Sequence, residues 1–247
     1  MTSPTTPPAQ EIQALFDRIA PSYDQLNDGL SLGLHRIWKQ MAVRWSGAAI
    51  GDTCVDICCG SGDVARLLAH RVGAQGQVYG VDFAAAQLAI AQSHPHQAIR
   101  PVTWIEADAL HLPFDDQTFD AATLSYGLRN LVDIPGSLRE IHRVLKPTAK
   151  VAILDFHRPQ SPLFRTFQQW YLDHWVVPTA QRLGLREEYA YISASLDRFP
   201  IGSEQVKLAL DAGFSTATHY PITGGMMGVL VATKGDATPD ATPQNPH

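Results

Sequence analysis

Cysteine is scarce in this chain: there are three, and Cys54, Cys58 and Cys59 all fall within one predicted strand and its turn. An odd, tightly grouped set makes no disulfide framework, and no Cys or His pair has the spacing of a zinc site. The three read as small, reduced core residues of a cytosolic protein, with a redox or nucleophilic role for Cys58 or Cys59 as the alternative. Positive charge is thin as well. Lys and Arg number 19 against 24 Asp and Glu, the formal net charge is −5, and the basic residues never cluster beyond two or three. Phosphate binding needs a concentrated basic face, so nucleic acid is not expected as the main partner. No apolar run reaches the length of a membrane-spanning helix, and residues 1–10, rich in Pro, Thr and Ser, lack the apolar stretch of a secretory signal. The far end, from about Gly235 to His247, repeats Ala-Thr-Pro and offers nothing to bury, so both tails are expected to be disordered.

What remains is ample for one domain. The chain has 247 residues, 45% of them hydrophobic and 17% charged, as in a soluble globular protein with a full core. Strand and helix patterns alternate, which predicts a parallel sheet covered on both faces. Strands are expected at Thr53 to Cys58, Gln77 to Asp82, Val102 to Glu106, Phe119 to Tyr126 and Lys150 to Phe156. Helices are expected at Gly62 to Arg71, Phe83 to Gln92 and Ser137 to Leu145, the last stopped by Lys146-Pro147. From 158 to 200 the pattern changes to a helical, aromatic insertion with Phe164, Phe167, Trp170, Tyr171, Trp175, Tyr189, Tyr191 and Phe199. A helix from Ser203 to Ala212, with a Ser cap, then leads to strands at Ser215 to Ile222 and Met227 to Lys234. The turn Thr223-Gly224-Gly225 joins these two as a hairpin. Residues 11–234 thus form a single α/β domain of the Rossmann-like type, with 11–50 as an N-terminal helical lid.

The order Val55-Asp56-Ile57-Cys58-Cys59-Gly60-Ser61-Gly62-Asp63, followed after one helix by Val78-Tyr79-Gly80-Val81-Asp82, suits a nucleotide-like cofactor. Gly60 and Gly62 allow a sharp turn and a close approach of backbone to ligand. Asp82 ends the second strand, where a carboxylate can accept both hydroxyls of a ribose. Gly60 to Ala65 also fits a dinucleotide fingerprint, so the loop by itself leaves the cofactor open. The closing hairpin separates the two, because a dinucleotide dehydrogenase sheet returns through another helix.

That hairpin matches the class I S-adenosylmethionine-dependent methyltransferase fold, a seven-stranded sheet with a terminal antiparallel strand, and the motifs resemble that family in order. By that resemblance the loop of Gly60, Ser61 and Gly62 contacts the methionine part of the cofactor and Asp56 precedes it. Asp82, followed by Phe83, holds the ribose, Asp108-Ala109 borders the adenine, and Ser125 completes the set. More specific boxes resemble the UbiE/MenG quinone C-methyltransferases: Phe16 to Asp24, Ser31 to Lys39, Tyr126-Gly127-Leu128-Arg129-Asn130 with Arg143 to Pro147, and Tyr189 to Ile192 with Ser195 and Phe199-Pro200. Matching segments run from about residue 12 to 234. Two places depart from the bacterial menaquinone and ubiquinone pattern. Cys-Cys-Gly-Ser-Gly-Asp replaces the commoner Gly-Thr-Gly form, and Asp155-Phe156-His157-Arg158-Pro159 stands where Glu-Phe-Ser-x-Pro is usual. The loop resembles the cyanobacterial and plant branch, which methylates 2-phytyl-1,4-naphthoquinone in phylloquinone synthesis.

This resemblance implies methyl transfer to a ring carbon of a prenylated or phytylated naphthoquinol. An oxidised quinone and a sulfonium methyl are both electrophiles, so the acceptor has to be the reduced quinol, activated by loss of a phenolic proton. A phenol with a pKa near ~10 needs help to lose it at neutral pH. Arg129 is the candidate to stabilise the quinol oxygen, with Asn130 beside it to orient an oxygen. Tyr23 and Asp24 are candidates for covering the ring and reaching the phenol. His157, after the fifth strand, is a candidate base with a pKa near neutrality. The aromatic insertion is expected to line an apolar tunnel for the tail or to touch a membrane surface. A peripheral membrane location and a homodimer are both compatible with the family. The competing readings are a methyltransferase for demethylmenaquinone, a ubiquinone precursor or another small molecule, a catalytically silent subunit of a quinone-synthesis complex, and a dehydrogenase.

Overall fold

A computed structural model describes residues 33–94, 101–176, 178 and 195–236. The first described helix, α1 (Leu34–Trp45), precedes β1 (Thr53–Ile57), α2 (Asp63–Val72), β2 (Gln77–Asp82), α3 (Ala85–Ser93) and β3 (Thr103–Glu106). β4 (Phe119–Ser125), α4 (Ile134–Val144) and β5 (Leu145–Phe156) follow, then α5 (Pro162–Tyr171), α6 (Gly202–Asp211), β6 (Phe214–Ile222) and β7 (Met227–Lys234). The seven strands lie in the order β3-β2-β1-β4-β5-β7-β6. β1 pairs in parallel with both β2 and β4, and β5 in parallel with β4. β7 is antiparallel to β5 and to β6, as the closing hairpin required.

The alternation of side chains along the strands divides the core into two faces. Val55 and Ile57 of β1, Ala122 and Leu124 of β4 and Val151 and Ile153 of β5 pack with Leu138, Ile141 and Val144 of α4 and Ala209 of α6. On the other face Cys54 and Ala121 meet Val64, Ala65 and Leu68 of α2. Beside them Ala152, Leu154 and Val229 meet Ala42 of α1, with Trp38, Met41 and Trp45 packed alongside. Burying the Val, Leu and Ile side chains of both faces, at ~1.5–3 kcal/mol each, is what fixes the strand register.

Several boundaries differ from expectation, and those around α4 and α6 do so for local reasons. α4 begins at Ile134 rather than Ser137, because Asp133 caps it by accepting the Gly136 N–H at 2.9 Å and a proline sits in its first turn. It ends at Val144, and the chain enters β5 directly at Leu145 instead of Lys150. Lys234 of β7 satisfies the helix end by donating to the carbonyls of His142 and Leu145, each at 2.8 Å. α6 begins at Gly202, so Ser203 is not its cap. Glu204 instead folds back to accept the Ile201 N–H at 3.0 Å. The lid is described from residue 33 onward, and the insertion through 176, at 178 and from 195. Tyr23, Asp24, Tyr189, Tyr191 and the predicted tails, apart from residues 235 and 236, lie outside the described residues.

Candidate active site

The sheet order reverses between β1 and β4, and there both strands end on residues in the left-handed region. Cys58 follows β1 at φ 54° and Tyr126 follows β4 at φ 63°. Non-glycine residues in that conformation are held by their surroundings, and such strain gathers at functional sites. The two exits also touch: a Cβ on Gly127 would lie 2.6 Å from that of Cys58. The loop after Cys58 turns on Gly60 (φ 54°) and Gly62 (φ 86°), and a Cβ on Gly62 would collide with the Trp104 ring at 2.3 Å. Glycine is therefore demanded at Gly62 both by its dihedral and by its neighbour.

A cavity open to solvent occupies this crevice. Its wall includes Asp56, Gly60, Ser61, Asp82, Phe83, Asp108, Ala109, Ser125 and Asn130, so it unites most of the residues singled out in the sequence. Asp82 organises it by accepting the Gly60 N–H on one oxygen at 2.8 Å and the Ala84 N–H on the other at 2.9 Å. Asp108 accepts the Leu110 N–H at 2.9 Å and so fixes the turn after β3. Asp56, at 1% exposure, accepts the Thr123 hydroxyl at 2.7 Å. Burial pushes its carboxyl up to about 7, against the opposing influence of Thr123 and of the Lys39 charge. Among the described residues, Asp56 Oδ2 and Ser125 Oγ are buried without a hydrogen-bond partner, and both residues line the cavity. Unsatisfied buried polar atoms at a cavity wall are what a polar ligand would complete.

Beyond Tyr126 the carboxyl edge is filled. Arg129 forms a buried ion pair with Asp155, whose other oxygen accepts the Arg129 backbone N–H at 3.1 Å. The Arg129 guanidinium also donates to the Tyr126 carbonyl at 3.0 Å and lies 5.1 Å from the centre of the Phe156 ring. Asn130 donates to that same carbonyl at 3.1 Å. The distinctive Tyr-Gly-Leu-Arg-Asn box is thus a clamp on the strained Tyr126 peptide, and Arg129 is not among the residues of the cavity wall. His157 departs from expectation too. Its Nε2 lies 3.1 Å from that of His219, Gln168 donates to its backbone carbonyl at 2.8 Å, and its ring packs 5.1 Å from Phe199. Burial first, then the His219 and Arg129 charges, push its pKa down to about 3, so it is a neutral, buried imidazole and not a base poised near neutrality. The cysteines are free, and burial pushes Cys54 up to about 12. Cys58 and Cys59 are raised by burial and by the Asp82 and Asp56 charges, which disfavours a thiolate nucleophile.

Lys39, Asp63, Tyr126 and Asp155 were not read as site residues from the sequence. Asp155 carried the same signal as Asp82, a carboxylate at a strand end, and Lys39 closed one of the motifs without an assigned task.

Comparisons with known proteins agree with this geometry. A 2-phytyl-1,4-naphthoquinone methyltransferase of Trichormus variabilis is 66% identical over 91% of this chain and 99% of its own length. The chloroplastic 2-phytyl-1,4-beta-naphthoquinone methyltransferase of Arabidopsis thaliana is 50% identical over 92% of this chain and 88% of its own. A solved SAM-dependent methyltransferase from Aquifex aeolicus shares the fold, with a TM-score of 0.58 at 20% identity over 79% of this chain and 88% of that one. Residues 5–234 match the ubiE/COQ5 methyltransferase family, and the chain belongs to it.

Proposed function

We propose that this methyltransferase moves a methyl group from S-adenosylmethionine to a ring carbon of 2-phytyl-1,4-naphthoquinol, the last step of phylloquinone synthesis. The observation that carries this reading is the carboxylate-lined cavity at the β1–β4 switch, in a chain so close to relatives named for that quinone. Asp56, Asp63, Asp82 and Asp108 stand around it with Lys39 as the one cation of its described wall, which suits a donor with a sulfonium and an ammonium. The donor supplies an electrophilic methyl. Asp82 takes the ribose hydroxyls, Asp108 and Ala109 border the adenine, and Ser125 Oγ gains a partner.

In the transfer the quinol gives up a phenolic proton and its ring carbon bonds to the methyl while the carbon–sulfur bond breaks. The ring carbon then loses its own hydrogen as a proton and the oxygen takes one back, leaving a methylated quinol, a neutral thioether and one released proton overall. Charge is cancelled as phenolate and sulfonium react, so a site that excludes water favours the step. Asn130 is positioned at the cavity wall to orient a quinol oxygen. Arg129 serves by holding the Tyr126 peptide, and with it Asn130, in place. Tyr23 and Asp24 are the proposed cover and proton acceptor. The phytyl tail runs toward α5, where Leu163, Phe164, Phe167 and Trp170 are exposed and a membrane surface could deliver it. Among the described residues no helix is long and apolar enough to cross a membrane.

Labelled S-adenosylmethionine, offered with the phytyl quinone in lipid vesicles under dithionite and in air, tests the reading. Demethylmenaquinone and a demethylated ubiquinone precursor run alongside. Label in the phytyl product only under reduction, with protein co-sedimenting with the vesicles, is the expected result. Label in another quinone moves the substrate, and none despite cofactor binding points to another acceptor or a silent subunit.

A further inference from the structure

We infer that Lys39 is the receptor for the carboxylate of the methyl donor's methionine portion, giving up its contact with Asp63 to take it. The inference rests on the cavity being the donor site. A donor of this kind carries one anionic group, and a wall containing Asp56, Asp63, Asp82 and Asp108 would repel it. Lys39 is the only cation among the described residues of that wall. It is 6% exposed, and its stem is fixed from α1, where Ala42 and Val43 on the same face are in the core. From there Nζ reaches Asp63 Oδ2 at 3.0 Å and lies 5.9 Å from the centre of the Tyr126 ring. It therefore stands between the glycine loop and the Tyr126 clamp.

What Lys39 now touches makes the exchange reasonable. Asp63 is the first residue of α2, so its carboxylate already sits at a helix N-terminus, where the backbone favours an anion. A second anion arriving there needs Lys39 more than Asp63 does. Asp63 has its own alternative, since Arg66 donates to its other oxygen at 3.0 Å, and its side chain is 40% exposed to water. Burial pushes the Asp63 carboxyl up, but Lys39 and Arg66 together outweigh it and hold it below the ordinary carboxylate value. Arg66 and solvent remain to hold the Asp63 carboxylate when Lys39 leaves.

Calorimetry on the full chain with two probes decides the matter: S-adenosylhomocysteine, and its decarboxylated analogue, which keeps the amine and lacks the carboxylate. The wild-type protein should prefer the first. Lys39→Met should weaken S-adenosylhomocysteine by roughly 10–100-fold, the scale of one charged hydrogen bond. It should leave the analogue within about 2-fold, so that the preference disappears. Lys39→Arg should restore much of the preference, and Asp63→Asn should tighten S-adenosylhomocysteine by freeing Lys39. Equal losses for both probes in Lys39→Met would overturn the inference, since Lys39 would then serve only the architecture. Equal wild-type affinities for the two would do the same while leaving the cavity assignment intact. A wild-type protein that binds neither probe would sink both.

Discussion

At the ends of β1, β2 and β3, Asp56, Asp82 and Asp108 line an open cavity, whereas at the end of β5 Asp155 is shut against Arg129. Residue type and position are the same in both cases: a carboxylate at the carboxyl end of a parallel strand. On the first side the backbone recedes through Gly60 and Gly62, and polar atoms such as Ser125 Oγ are left for a ligand. On the second side the polar groups satisfy one another. Arg129 meets Asp155 and the Tyr126 carbonyl, His157 meets His219, and Gln168 meets the His157 carbonyl. One half is left open to a ligand and the other half holds it in shape. A strand-end carboxylate is therefore a ligand group only where nothing of opposite charge is packed against it.

The sharpest way to break this contrast is to unpair the closed half. Arg129→Met should leave Asp155 buried without its counter-charge and cost about 3–5 kcal/mol of stability in denaturant unfolding. The double variant Arg129→Met, Asp155→Leu should recover much of that loss, because two apolar residues can replace a buried pair. A single variant as stable as wild type would show that Asp155 had found water, and the distinction between the halves would fall.

In the open half the corresponding change should act on binding. Asp82→Asn removes the charge and leaves the Gly60 or the Ala84 N–H without its acceptor, so S-adenosylhomocysteine should bind about 1–3 kcal/mol more weakly in calorimetry. Unchanged affinity would remove Asp82 from the ribose.

The net pH response of the whole chain is the smallest effect, because here the two halves have opposite signs. The pKa of His157 falls from 6.5 unfolded to about 3 folded. As the pH drops below about 6.5 the unfolded chain takes up a proton that the folded one refuses, so stability falls, by at most ~1.4 kcal/mol per pH unit. Asp56 is raised from 3.8 to about 7, and stability is instead lost as the pH rises through that window. Melting profiles of His157→Gln should be flatter on the acid side, and those of Asp56→Asn flatter on the neutral side. Parallel shifts of the whole profile, with no change of slope, would contradict both assignments.

Much of the open half was legible in the sequence because it depends on local order. A glycine turn after an apolar strand and carboxylates ending the next two are short-range patterns, and Asp56, Gly60, Asp82 and Asp108 all reached the cavity. The closed half was legible as motifs but not as chemistry. Arg129 and His157 looked free to act because their partners, Asp155 and His219, lie 26 and 62 residues away. Lys39 carries no local signal for the same reason, being 24 residues from Asp63. Helix ends were misread by a few residues where a side chain from elsewhere completed them, as Lys234 does for α4.

By itself the sequence determined the alternation of elements, the closing hairpin and the positions of the backbone turns, since apolar periodicity and glycine act within a few residues. Only the tertiary structure decided which charges are left for a ligand and which cancel. That depends on what packs against each group, and a carboxylate's chemistry is set by the dielectric and the partner it meets.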